Sequence, residues 1–200
     1  MKISAILIIL FLFQSSEVFS QPARVLTPYR QGDKWGYKLE TGLVVIEPQF
    51  VQAKEFNEQG IALVYDAIGW AYINVLGNTV IRPVLIENAP EEFSSELCRF
   101  YQSRRFGFFD KWGRIVVPAQ YEFALPFKEG MAAVCEGGKV VYDGKKYTCQ
   151  GGKWGYINAK NEVVVKPKYD EATDFENGKA KVRDGSEWFT ARKDGKILNK

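Results

Sequence analysis

The side chains of this chain with the most chemistry in them are three cysteines, two adjacent pairs of carboxylates and one tryptophan near several arginines; histidine is wholly absent. The missing imidazole removes the commonest general base and the commonest zinc ligand, and three cysteines alone do not complete a four-ligand zinc site. Glu91-Glu92 and Asp170-Glu171 are the pairs that would have to act as acid and base in glycosidase chemistry, a reaction that needs two carboxyls held at a defined separation. Both pairs stand among turn residues, the first beside Pro90, and no second motif sets such a separation. A nucleophilic Cys98 would lack its histidine partner. Asp184-Gly185-Ser186 and Asp194-Gly195-Lys196 read as turns, because no helix N-terminus follows to aim amides at a phosphate, and the acidic residues lack calcium-loop spacing. The expectation is therefore no catalytic residue, no metal and no cofactor.

Cys135 and Cys149 bracket a stretch in which Val140-Val141-Tyr142, Asp143-Gly144 and the residues up to Thr148 read as a short hairpin with a two-residue turn. The bracket predicts a disulfide, which closes a loop of about 15 residues and stabilises by roughly 3 kcal/mol in the chain-entropy picture. A hairpin of this size is marginal alone, so the bond has a purpose. Cys98 aligns with Ala62, Ala132 and Ala180 and is expected as a buried small hydrophobe. Trp112 takes a turn position held elsewhere by Lys160 and is expected in solvent. With Arg99, Arg104 and Arg105 close before it, it forms the candidate partner-binding patch, cationic and aromatic as interfaces favour. The plainer reading is a solvated turn with scattered charges.

These residues are carried by an internal repeat. Trp35-Gly36-Tyr37, Trp70-Ala71-Tyr72, Phe106-Gly107-Phe108 and Trp154-Gly155-Tyr156 open successive units, and Trp188 opens a truncated fifth, at steps of 35, 36, 48 and 34 residues. After each full opener come a turn, a β-branched run, usually a proline, and an apolar residue at Phe50, Leu85, Tyr121 or Tyr169; Ala53, Phe56 and Gly60 and their counterparts follow. Short apolar stretches at 61–64, 97–100, 131–134 and 179–182 close the units. Trp35, Tyr37 and Leu39 alternate with Gly36 and Lys38, the period of two of a half-buried strand. Each unit reads as a hairpin plus a third strand, with proline expected to end the β-branched strand. A single unit cannot bury its aromatic face, but stacked neighbours can, so Trp35, Trp70, Phe106, Trp154 and Trp188 are read as structural. Residues 23–30 occupy the place of a closing strand ahead of Trp35, which leaves two arrangements open: capped ends on an open array, or a closed propeller-like ring.

Residues 1–20 combine Lys2 with an apolar run from Ile3 to Phe13 and a polar stretch ending Val18-Phe19-Ser20, the pattern of a secretory signal peptide cut before Gln21. The run is shorter than the roughly 20 residues a membrane-spanning helix needs. No transmembrane segment is expected after cleavage, and the mature chain of 21–200 is expected as one domain, with units at 34–64, 69–100, 105–134, 153–182 and 187–198 and the inserted hairpin at 135–149. With 46% hydrophobic and 26% charged residues in 200, burial of roughly 70% of the unfolded surface is within reach. A formal charge of +3 is too small for a nucleic-acid footprint.

KWGY at Lys34, KWGYIN at Lys153, GWAYIN at Gly69 and RFGFFD at Arg105 together make the chain resemble the WG repeat, also called the KWG repeat, of bacterial proteins. The resemblance spans almost all of the mature chain and implies a β-rich repeat frequent in exported or surface proteins; it brings no catalytic residue set. Phe106 in place of tryptophan, Ala71 and Phe189 in place of glycine, and the insertion of about 14 residues before Trp154 depart from the pattern. The expected role is non-catalytic: an exported all-β repeat, secreted or periplasmic, presenting a surface to a protein or cell-envelope glycan. A structural part of an envelope assembly and an enzyme with an unrecognised carboxylate site are the alternatives.

Overall fold

The computed structural model describes residues 25–142 and 147–199, and within them the chain is all-β. The signal peptide expected at 1–20 and the Asp143-Gly144 turn lie outside the described residues. Among the described residues, five antiparallel sheets of three or four strands follow one another along the chain, with two further two-stranded pairs. The first contains β1 (Leu26–Gln31), β2 (Lys34–Leu39) and β3 (Val44–Phe50); the second β4 (Gln52–Ala53), β5 (Ile61–Tyr65), β6 (Trp70–Asn74) and β7 (Thr79–Ile81). A two-stranded ribbon, β8 (Leu85–Ile86) with β9 (Ala89–Pro90), precedes the third sheet of β10 (Leu97–Gln102), β11 (Arg105–Asp110) and β12 (Ile115–Tyr121). In the fourth sheet β13 (Phe123–Ala124), β14 (Met131–Glu136), β17 (Lys153–Asn158) and β18 (Val163–Tyr169) are neighbours, while β15 (Lys139–Tyr142) and β16 (Tyr147–Gln150) form a separate hairpin between β14 and β17. The fifth has β19 (Glu171–Ala172), β20 (Lys179–Asp184), β21 (Glu187–Arg192) and β22 (Ile197–Leu198).

The sheets are out of phase with the sequence repeat. The closing strand of one unit pairs with the opener of the next, because only Gly32-Asp33, Ser103-Arg104 or Gly185-Ser186 separates them in three of the five sheets, and so tight a turn folds the flanking strands directly onto each other. Ser103 and Arg104 both have φ near +60°, as a two-residue hairpin turn of this hand requires. The fifth unit, truncated in sequence, thereby completes a full sheet. The first and last sheets share neither a strand pair nor a buried cluster, so the array is open rather than ring-closed.

Proline does not end the β-branched strand as expected: β3, β12 and β18, each third in its sheet, run through Pro48, Pro118 and Pro167. Trp35 pairs with Phe50 and Tyr37 with Ile46, so four steps of β3 span two of β2, and the slack forms a bulge holding a proline that has no N–H to lose. That bulge presses onto the opener glycine. A Cβ on Gly36 would fall on the Ile46 carbonyl oxygen and 2.8 Å from the Pro48 nitrogen; Gly107 meets Ala119 N at 2.8 Å and Gly155 meets Pro167 N at 2.6 Å in the same way. The glycine after each aromatic opener is thus a seat for its own third strand.

The second sheet shows what happens without that seat. Ala71 carries a methyl group, β7 stops at Ile81, and the chain leaves so that Pro83 bridges Phe100 of the third sheet. Arg82 fills the vacated edge: its guanidinium donates to the carbonyls of Gly69 and Trp70 and pairs with Asp66. Leu85 stands in sequence where Phe50, Tyr121 and Tyr169 do, but those three are buried and Leu85 lies 42% exposed in the β8–β9 ribbon.

In the four full units a ring sits two residues after the opener, fully buried at Tyr37, Phe108 and Tyr156 and half-buried at Tyr72, and meets a phenylalanine carried by the link to the next closing strand. Tyr37–Phe56, Tyr72–Phe93, Phe108–Phe127 and Tyr156–Phe175 are edge-on pairs with centroids 4.6 to 5.7 Å apart. The Tyr37 and Tyr156 hydroxyls donate to the carbonyls of Lys54 and Thr173, each at 2.7 Å, which ties one sheet to the link of the next. Of the openers themselves, Phe106 and Trp154 are buried and Trp35, Trp70 and Trp188 half-buried.

Candidate functional site

Cavities that recur with the repeat are consequences of stacking. One of about 480 Å³ lies against Glu55, Phe56 and Asn57, and one of about 690 Å³ against the equivalent Asp174, Phe175 and Glu176, where Lys128 and Asp174 already pair at 2.8 Å. A third region differs from these. It lies where the β8–β9 ribbon, the β10–β11 hairpin and the inserted β15–β16 hairpin converge, as a cleft of about 240 Å³ continuous in its lining with another of about 460 Å³. Val84, Leu85, Phe106 and Tyr147 line both. Tyr142 and Tyr147 stand at the rim with centroids 5.0 Å apart, and Tyr101 packs on Phe106 at 4.9 Å. Both departures from the repeat, the detached third strand and the insertion, supply walls to this one place.

Its floor is a buried ion pair. Arg99 is 6% exposed and Glu91 5%, with Nε and Nη2 of the arginine each 2.8 Å from Oε2 of the glutamate. Nη1 donates to the Ala124 carbonyl, and the guanidinium lies 5.9 Å from the centroids of Phe106 and Phe123. Burial pushes the Glu91 carboxyl above its ordinary value, and the Arg99 charge only partly offsets this. Adjacent Cys98 is fully buried, and desolvation, with the Glu91 charge adding to it, raises its thiol far above the ordinary range. It packs as a small hydrophobe.

Arg99 therefore does not belong to an exposed cationic patch: residues 97–100 of β10 are all buried, and its charge is paired with Glu91. Arg104 and Arg105 are exposed but lie at the opposite end of β11 from Trp112, and Arg105 pairs with Glu122 at 2.8 Å. The patch expected from their nearness in sequence is not assembled, because an extended strand carries its two ends apart. Trp112 is 52% exposed in the turn after β11, and the cation over its ring is Arg114, 4.6 Å from the centroid. Asp110 builds that turn by accepting from the Trp112 and Arg114 amides. Glu91 and Glu92 face opposite sides, buried and exposed; Asp170 pairs with Lys153 at 2.7 Å and Glu171 with Arg183. Cys135 and Cys149 are bonded to each other.

Sequence reasoning missed the cleft and its floor. The available signals were Ala71 at a glycine position and the tyrosines flanking the inserted turn.

A family model described as WG containing repeat matches residues 35–66, 106–139 and 154–188, half of the chain. The chain belongs to this WG repeat family. The WG matches leave out 67–105, the stretch whose opener has Ala71 and whose third strand detaches, so the unit that departs in sequence is the one that departs in structure. The WG glycines Gly36, Gly107 and Gly155 all fall in matched segments. No curated protein and no solved structure matches the chain.

Proposed function

We propose that this WG repeat protein is a non-catalytic binding scaffold, exported and soluble once a signal peptide is cut before Gln21, and that it engages a macromolecular partner, protein or cell-envelope glycan, through the aromatic cleft between the β8–β9 ribbon and the inserted hairpin. One observation carries the reading: the cleft is formed by the two segments in which the chain breaks its own repeat, and its rim keeps Tyr101, Tyr142, Tyr147, Leu85 and Ile86 between 42% and 59% exposed. Rigid aromatic rings bury large area at small entropic cost, which suits them as anchors. A stacked array supplies a stiff frame on which such local departures are tolerated. The disulfide and the apolar run at Ile3 support placement in an oxidising compartment, periplasmic or outside the cell.

The test is capture from the envelope fraction of the source cell with the mature chain as bait, beside a Leu85→Ser, Tyr147→Ser variant and a Trp112→Ala variant. Loss of two anchor contacts is expected to lower capture by about tenfold or more in the cleft variant, with Trp112→Ala close to the parent. Capture lost in Trp112→Ala and kept in the cleft variant would move the site to the exposed turn after β11.

A further inference from the structure

The inserted hairpin is tied to the rest of the molecule in an unusual way. Among the described residues, β15 and β16 pair with each other and with no other strand. Their stems leave the fourth sheet through Gly137-Gly138 and Gly151-Gly152; Gly137 and Gly151 both have φ near +70° and nothing within 4 Å of where a Cβ would be. Such residues allow a wide range of stem directions. Gly138 and Gly152 lie back to back beneath the disulfide, where a Cβ on either would fall on a cysteine sulfur. The doubled glycines make room for the bond to cross the stem. Among the described residues, Val140 and Cys149 pack at the edge of the core, Glu122 accepts from the Gly137 amide at 3.2 Å, and Tyr142 and Tyr147 reach the cleft walls.

From this we infer that the Cys135–Cys149 disulfide is a redox latch on the cleft, an inference that rests on the cleft being the binding site. Oxidised, it holds Tyr142 and Tyr147 in place as one wall; reduced, it lets the hairpin swing on its glycine stems and takes that wall away. Cys149 is the side from which attack is expected, since Cys135 is fully buried whereas Cys149 is half-buried and lines a cavity with Tyr147, Thr148 and Glu171. A dithiol reductant supplies the electrons. Its first thiolate attacks Cys149, forming a mixed disulfide and releasing Cys135 as a thiolate that takes up a proton. Its second thiol displaces Cys149, so that two electrons and two protons pass to the protein and the reductant becomes a disulfide.

Hydrogen exchange read by mass spectrometry tests this on the whole mature chain, oxidised and in dithiothreitol, with a Cys135→Ser, Cys149→Ser variant as the permanently open form. The result expected is exchange at least about tenfold faster over 139–142 and 147–150 in both open forms, with 131–136 and 153–158 unchanged. Unchanged protection of the hairpin overturns the latch, since the hairpin then docks without the bond. Faster exchange throughout the fourth sheet also overturns it, because the bond is then a staple of the fold. Neither outcome involves a partner, so a cleft that fails to bind is recognised separately, by the capture variants.

Discussion

Gly155→Ala is expected to destabilise the protein by at least about 3 kcal/mol, beyond the usual cost of an overpacked core site. The added methyl would land on the Val165 carbonyl oxygen and within 2.6 Å of the Pro167 nitrogen, and both are backbone atoms that no rotamer change moves. Relief requires β18 to lift from β17, which would uncover Val165 and Tyr169, now 5% and 3% exposed. The reciprocal change, Ala71→Gly, frees no strand and should cost only about 1–2 kcal/mol, from glycine's chain entropy and the loss of one buried methyl. Urea unfolding followed by tryptophan fluorescence compares the two directly. A loss below about 1 kcal/mol for Gly155→Ala would mean that the bulge is not seated on the glycine.

Arg99→Met should be about as damaging, at roughly 3–5 kcal/mol, because it strands a buried carboxylate beneath the cleft. The sign of its pH dependence follows from Glu91. An acid whose folded pKa lies above its unfolded value binds protons more readily in the folded state, so stability is fullest below the unfolded pKa and is lost as pH rises through the folded one. With the compensating charge gone, Arg99→Met should therefore lose more at pH 8 than at pH 5, and adding Glu91→Gln should restore most of the loss. Urea midpoints at the two pH values measure this; a loss independent of pH in the single variant would contradict an unpaired, buried Glu91.

Much of the fold was legible because it repeats. Alternation around Trp35-Gly36-Tyr37 marked the opener strands, the cysteines at 135 and 149 marked the inserted hairpin, and a tryptophan at the place of Lys160 marked an exposed turn. The phase of the sheets was not legible, since the same strands read equally well as a unit of opener, second strand and closing strand. Only the two-residue turns decide between the pairings. The fate of the prolines was hidden for a related reason. A proline stops a regular ladder but not a bulge, and the bulge exists only because Gly36, Gly107 and Gly155 leave room for it. Arg99 looked like a surface cation beside Arg104 and Arg105. Its burial depends on Glu91, which reaches it only because Ala71 releases the third strand of the second sheet and the chain returns through Pro83 to the third. The cleft came from the same departure, and no pattern of residue types along one segment contains it.

The functional reading depends on neighbouring sheets sheltering one another's rings, since only then is the array a stiff frame for the cleft. Phe127, in the link from β13 to β14 and fully buried 4.6 Å from Phe108 of the third sheet, is the place to measure this. Native-state hydrogen exchange on Phe127→Ala should show protection falling together in β11 and in β14 and β17. Loss confined to β14 and β17, with β11 as protected as in the parent, would contradict a shared core.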